Sequence, residues 1–584
     1  MSTRPVVAVV PFGARGATPR AGAIARQIAR RLVDRFARET TLELRPVFLL
    51  AMPEAASDAG YLVFGSSPEP ELAAQYASSS GATHALTATY RDGPSRALDV
   101  ALVDASTKAA TRVAIAIPEG ALQRVEGDLA TWLVKALGVE VAADLGSPPT
   151  ANEAAYVALL EAMDEEVNAT LLRPSDAARA RESLRRALSG FIDAARGDPA
   201  SEAPEERLLV VAAESLERGE IADEVRALEE LVTIRPRSWR AHYILGQLRA
   251  EGGDLNGAIV ATEHAHALKP LSDADVVRLA ELYANAGAPA PALAHLKRVR
   301  DGSDAYGAAQ ELLAIISLQR GDLDAGRAAF DRAVSAGTTS WELHASFGAA
   351  VHSRGALDDA IAHYVDALGA GGPPVVRLNL ARVLLAKGDH AAALRELDAL
   401  LASERSGEVA MHALRLRFGI REPELERELE RAGKAALSGD PAALDPARAV
   451  FDRALAREPA LWEAHFGLGI VARQRGDAKV AQSAFRRVLE LLPDQPDALH
   501  ELGVALLMEN DFTEALEALD HAAALRPDEP AYVADAGFAH LRAGDLANAR
   551  ARLERAARLD ANDPITKSYL GELARVESER PKPS

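Results

Sequence analysis

The sequence predicts an α+β chain, in which a small N-terminal α/β domain precedes a long all-α solenoid built from one repeated helical unit. Three observations carry this. Glycine falls at Gly219, Gly253, Gly287, Gly321 and Gly355, in steps of 34 residues. Pro459, Pro493 and Pro527 keep that interval, as do Ala447, Ala481, Ala515 and Ala549, so one unit is copied along the chain. Residues 1–146 lack the period and alternate β-rich with helix-spaced runs.

The first run, Val6 to Val10, is continuously apolar and reads as a buried strand. Ile24, Ile28, Leu32, Val33 and Phe36 then give Ala21 to Ala37 the spacing of a helix. Leu42 to Leu50 reads as a second strand and Glu69 to Ser79 as a second helix. His84 to Tyr90, Ala97 to Asp104 and Ala109 to Ile117 make three successive strands, with turns at Arg91 to Ser95 and Asp104 to Lys108. Leu122 to Leu137 closes the domain as a helix. The order predicts a mixed sheet with helices on one face.

Each repeat reads as helix, tight turn, helix. In the unit from Trp239 to Pro270, Tyr243, Leu245 and Leu248 lie on a first helix, and Gly246 removes a side chain where a second helix can approach. Gly253 ends that helix, because glycine enters the left-handed C-cap conformation without steric cost. Asp254 is placed to accept from the free amides of the next helix. Ala258, Ile259, Thr262, Ala265 and Leu268 form the second helix's inner face, and Pro270 blocks its continuation.

This pattern resembles the tetratricopeptide repeat (TPR). The resemblance rests on Leu245, Gly246, Ala258 and Pro270; on Leu468, Gly469, Ala481, Phe485 and Pro493; and on Leu502, Gly503, Ala515, Leu519 and Pro527. It implies a TPR superhelical solenoid of about eleven units between Asn152 and Pro564, each a helix pair of fixed length. The first, at 147–204, is degenerate, with Ala187, Phe191, Ala194 and Pro199 marking its second helix. A first block spans 205–407. At 408–446 the register breaks, with a charge-rich stretch and an enlarged turn at Gly439, Asp440, Pro441, Asp445 and Pro446. A second block occupies 447–580 and ends in a capping helix from Ile565 to Val576; 581–584 is a tail.

Composition narrows the functional classes. A net charge of −19 argues against nucleic acid as the partner, since phosphate contacts need concentrated Lys and Arg. The absence of cysteine excludes disulfides, thiolate metal sites and cysteine nucleophiles. With no signal-like N-terminus and no long apolar segment, membrane insertion is not expected and a cytoplasmic setting is.

Val6 to Phe12, Gly81 to Tyr90 and Val100 to Thr107 resemble the TolB N-terminal-type domain. That resemblance implies an interaction or sensory module ahead of TPR repeats in a bacterial signalling or regulatory protein. No catalytic, cofactor or metal constellation is read. Gly13, Gly16 and Gly22 match neither dinucleotide nor Walker spacing. His264 and His266 are two residues apart on a helix and diverge. His465, His500, His521 and His540 sit in separate repeats with no acid at fixed spacing.

The candidate site is the inner wall formed by the first helices of the repeats, as in TPR proteins. In the first block it offers Arg240, Tyr243 and Gln247. In the second it offers Phe466, Ile470 and Arg473, then His500, Val504 and Leu507, then Phe538 and Leu541. Together with Met508 this second set is the more apolar, suited either to receiving a partner segment or to packing inside a tight superhelix. The expected function is a non-enzymatic scaffold or adaptor that binds a protein or peptide segment in this groove. The alternative is a sensor, in which the α/β domain takes a small molecule or nucleotide and the repeats are the output. The oligomeric state is left open.

Overall fold

A computed structural model describes residues 4–15, 18–37, 41–47, 66–142, 144–218, 221–338 and 340–579. The expected rung Gly219, the loop glycine Gly16, the strand end Phe48 to Leu50 and the tail 581–584 lie outside the described residues. The chain divides into two compact units, Met1–Tyr306 and Gly307–Ser584.

The first unit opens with strands β1 (Val6–Val9) and β2 (Gly13–Arg15), helix α1 (Pro19–Arg35), strand β3 (Glu43–Pro46) and helix α2 (Pro70–Ser79). Strands β4 (His84–Arg91), β5 (Ala97–Asp104) and β6 (Ala110–Ala116) and helix α3 (Val125–Leu137) follow. The sheet runs β3-β1-β4-β5-β6. β1 is parallel to β3 and β4, whereas β4, β5 and β6 form an antiparallel meander.

β2 was not expected. It pairs with β4 beyond β1, with Gly13 opposite Thr89, after β1 has placed Val9 opposite Leu86. One extra residue on the β1–β2 side makes a bulge around Pro11, which has no N–H to give to the ladder. Gly13 is therefore part of a strand and not of a phosphate loop.

The sheet also differs from expectation in carrying helices on both faces. Val7 and Val9 pack with α1 and α3, while Ala8 and Val10 pack with Ala73, Ala74 and Ala77 of α2. Alternate residues of a strand point to opposite faces, so an unbroken apolar run needs cover on each. At the β5–β6 turn the Asp104 carboxylate accepts from the backbone and hydroxyls of Ser106 and Thr107. Those bonds hold its pKa well below the usual carboxylate range.

The helices that follow in this unit are α4 (Glu153–Leu172), α5 (Ala177–Gly197), α6 (Ala203–Arg218), α7 (Ala222–Ile234), α8 (Trp239–Glu251), α9 (Leu255–Leu268), α10 (Asp273–Asn285) and α11 (Pro289–Leu296). They form four consecutive pairs. The first pair is continuous with the α/β domain, because α4 packs on α1 and its Tyr156, Val157 and Leu160 enter the same core. Polar bonds reinforce this junction. Arg26 pairs with Asp164 at 2.6 Å, and the buried Glu126 accepts from Arg31 at 2.5 Å and from Tyr156 at 2.7 Å.

The second unit contains α12 (Tyr306–Gln319), α13 (Leu323–Ser335), α14 (Trp341–His352), α15 (Leu357–Gly369), α16 (Pro374–Ala386), α17 (His390–Ser403), α18 (Glu408–Arg421) and α19 (Pro423–Leu437). It continues with α20 (Pro441–Arg457), α21 (Trp462–Gln474), α22 (Ala478–Leu491), α23 (Pro496–Met508), α24 (Phe512–Leu525), α25 (Pro530–Ala543), α26 (Leu546–Leu559) and α27 (Pro564–Glu579). Among the described residues six pairs pack closely and α12 and α13 are joined through Arg332 and Gln310, with α18 left single between α16/α17 and α19/α20, and α27 single at the end.

The turn chemistry is the one the ladder implies. Gly253, Gly287, Gly321, Gly355, Gly476 and Gly544 all have positive φ. Asp254, Asp322, Asp389, Asp477, Asp511 and Asp545 cap the helices that follow, each accepting from the amide three residues on. Between Gly476 and Gly544 the left-handed position is filled by Asn510, at φ +62. Close helix approach also repeats. A Cβ on Gly469, Gly503 or Gly537 would lie 2.5 Å from Phe485, 2.4 Å from Leu519 or 2.8 Å from Leu553.

The region 408–446 is helical throughout except for short turns. The expected enlarged turn is confined to Ser438–Asp440, because Asp440 caps α20 and Pro441 stands at its first position; Pro446 lies inside that helix.

Candidate partner-binding surface

The first helices of the later pairs, α19, α21, α23 and α25, carry a row of polar side chains along their partly open face. Arg415 of α18 pairs with Glu426 of α19 at 2.6 Å and lies 3.8 Å from Glu463 of α21. Arg473 of α21 stands 2.5 Å from Glu501 of α23, out of line for a hydrogen bond, so charge rather than a directed bond joins them. His500 of α23 meets Asp535 of α25 at 2.8 Å, and Asp535 also accepts from Tyr569 of α27 at 3.0 Å.

Burial raises the pKa of Glu426, Glu463 and Glu501, opposed by Arg415 in the first two and by Arg473 in the third. Glu426 Oε2 and Glu463 Oε2 are buried and accept no hydrogen bond among the described residues. An unused buried carboxylate oxygen is costly, and a donor from another molecule would relieve it.

The sequence-named residues of this unit divide into open and closed. Val504 and Leu507 are half-buried, and Met508 beside them is 43% exposed. Phe466 is half-buried with its ring 5.6 Å from Phe485 and 6.4 Å from Trp462. Phe538 stacks on Tyr569 at 4.2 Å, so the capping helix covers one side of it. His500 stacks on Tyr532 at 4.5 Å. Ile470 and Leu541, expected on the wall, instead belong to the core at 1% and 5% exposure and offer no surface to a partner. They sit where the first helix turns inward, in clusters with Val471 and with Leu553 respectively.

The histidines also differ from expectation, since acids reach them from neighbouring helices. Besides His500 with Asp535, His540 is flanked by Asp520 and Asp545 and His521 by Asp494.

A cleft of about 580 Å³ opens where the register breaks. Arg382, Leu385, His390, His412, Arg415 and Glu426 line it, together with Leu416, Gly419, Ile420 and Pro423. Arg382 and Leu385 stand on α16 and His390 on α17, while the residues from His412 to Glu426 sit on α18 and α19, where no period marked a first helix.

In the first unit, the Tyr243 hydroxyl donates to Asp275 at 2.6 Å and accepts from Arg278 at 3.0 Å, while burial raises its pKa. Arg240 is exposed beside the Trp239 ring, at 5.9 Å, and Gln247 is half-buried. These three do not form an apolar groove. A second cleft of this unit, about 680 Å³, is lined by Arg31, Arg35, Arg207, Glu126, Asp34 and Glu206 among others. Its arginines are already paired, Arg31 and Arg35 with Glu126 and Arg207 with Glu166.

Profiles of the tetratricopeptide repeat family match residues 352–417, 444–481 and 469–530. These fall on α14–α18 and on α20–α25, so the array holds tetratricopeptide repeats. Among solved structures, the P58(IPK) TPR domain aligns at 16% identity over 58% of this chain and 98% of its own, with a TM-score of 0.23. YrrB, described as a TPR protein with an unusual peptide-binding site, aligns at 18% identity over 34% of this chain and 92% of its own, TM-score 0.21. The Sgt2 TPR domain from Aspergillus fumigatus aligns at 18% over 21% of this chain and 86% of its own, TM-score 0.20. No curated protein matches the chain. No described helix is long and apolar enough to cross a membrane.

Proposed function

We propose that the repeat array is a non-enzymatic scaffold that holds a segment of a partner protein on its first-helix face, centred on α21 and α23. Repeats of this type generally mediate protein–protein interaction, each adding one strip to a continuous surface. The observation that supports this position is the conjunction of two unused buried carboxylate oxygens, on Glu426 and Glu463, with the half-open Phe466, Val504 and Leu507 and the exposed Met508. A segment with apolar side chains and a Lys or Arg between them fits both features, and the net charge of −19 favours its approach. The cleft beside α18 would receive one end of the segment.

The setting proposed for this activity is bacterial and cytoplasmic. The α/β domain is proposed as a TolB N-terminal-type module that presents the array.

Display selection against the full chain supplies ligand segments for the test. Val504→Asp combined with Met508→Asp, with unchanged circular dichroism, is expected to weaken the selected segments tenfold or more. Glu463→Gln should weaken those carrying a basic residue. Equal affinity for wild type and all variants would overturn the placement.

A further inference from the structure

Outside the partner face, His344 of α14 and His363 and Asp366 of α15 converge. His344 Nδ1 lies 3.4 Å from His363 Nδ1 and 3.8 Å from an Asp366 carboxylate oxygen. The three side chains can each point one ligand atom within 4.8 Å of the other two, and no other such group of three occurs among the described residues. His363 and Asp366 are three residues apart and share one helix face, while His344 faces them from the partner helix of the same repeat.

The spacing is informative. Two nitrogens bound to one tetrahedral zinc at about 2.0–2.1 Å stand roughly 3.3–3.4 Å apart, which matches the imidazole pair. Two imidazoles whose Nδ1 atoms face each other need either a shared proton or a cation between them. Burial lowers the His363 pKa, and the neighbouring His344 and Arg327 of α13 act in the same direction, against Asp366 and Asp359.

The surroundings are built to hold the rings. Phe330 of α13 meets His344 and His363 edge-on at 5.3 and 5.4 Å, and the buried Phe347 lies 4.6 Å from His363. Asp366 is exposed and leaves an entry path.

We infer that His344, His363 and Asp366 form a site for a divalent transition metal of zinc type, which joins α14 to α15 within one repeat. Two imidazoles and one carboxylate suit zinc, whereas magnesium requires more oxygen ligands. The fourth tetrahedral position faces solvent and takes water or an external ligand.

The test uses the full chain, stripped with EDTA and titrated with zinc sulfate by calorimetry and thermal melting. One equivalent should bind, raise the melting temperature, and be removed again by EDTA. Magnesium chloride should do neither. Asp366→Asn, which changes only an exposed atom, and His363→Gln should each weaken zinc tenfold or more, while His521→Gln, a histidine elsewhere in the array, should not. Failure of the wild type to bind stoichiometric zinc would overturn the site, whatever the folding of the variants. So would undiminished binding by Asp366→Asn and His363→Gln.

Discussion

Within the second unit, α21–α26 and α16–α20 keep the repeat differently. Along α21–α26 every first helix bears a glycine pressed against a large side chain of the second: Gly469 on Phe485, Gly503 on Leu519, Gly537 on Leu553. Along α16–α20 the glycines are loose. Gly433 of α19 has no atom within 4 Å of where a Cβ would stand, and Gly419 of α18 meets only the side chain of Glu426, at 3.8 Å. Close packing forces one distance between helices and hence one period, whereas looser packing permits an unpaired helix and the cleft beside it.

The largest expected effect comes from emptying the tight contact. Phe485 is fully buried, so Phe485→Ala should cost about 3–5 kcal/mol, read from the urea midpoint. Its failure to destabilise would mean that the regular stretch is not held by this packing. Next, Gly503→Ala should cost about 1–3 kcal/mol, because the new methyl meets Leu519 at 2.4 Å. The same change at Gly433 should stabilise by about 1 kcal/mol, since it removes only the entropic cost of glycine in a helix. Opposite signs at the two positions sharpen the comparison, and equal signs would remove it. Asp477→Ala, which deletes the cap of α22, should cost about 1 kcal/mol by the same denaturation assay.

A smaller effect concerns pH. Burial raises the folded pKa of Glu463 above the usual value of 4.5, so its ionised form opposes folding. That penalty is fully present above the folded pKa and is relieved as pH falls through it towards 4.5. Glu463→Gln should therefore be the more stable protein at neutral pH, with the difference closing at lower pH. A difference independent of pH would show that the carboxylate titrates as an exposed group.

Much of this comparison was legible in the sequence, because tight packing imposes identities at fixed spacing. The glycine and alanine ladders and the Gly-Asp turns followed from residues that a repeat cannot change freely. Asn510 hid one rung, since it can enter the left-handed conformation that glycine otherwise supplies. Pro446 suggested a turn where the structure has a helix, because Asp440 and Pro441 had already started α20 five residues earlier. The wall was harder to read. A first helix turns its side chains both inward and outward within one turn, so spacing alone did not separate the buried Ile470 and Leu541 from the open Val504 and Met508. Glu426 and Glu501 escaped selection as site residues because charge on a helix reads as solvated until its burial is seen. His344, His363 and Asp366 escaped because ligands on two helices have no spacing signature.

Hydrogen exchange on the full chain, with and without a selected segment, tests the central claim most directly. Slowed exchange should concentrate in α21 and α23 and at the cleft beside α18, with the second helices α22 and α24 unchanged. Protection confined to the α/β domain, or spread over second helices while α21 and α23 stay unaffected, would contradict it.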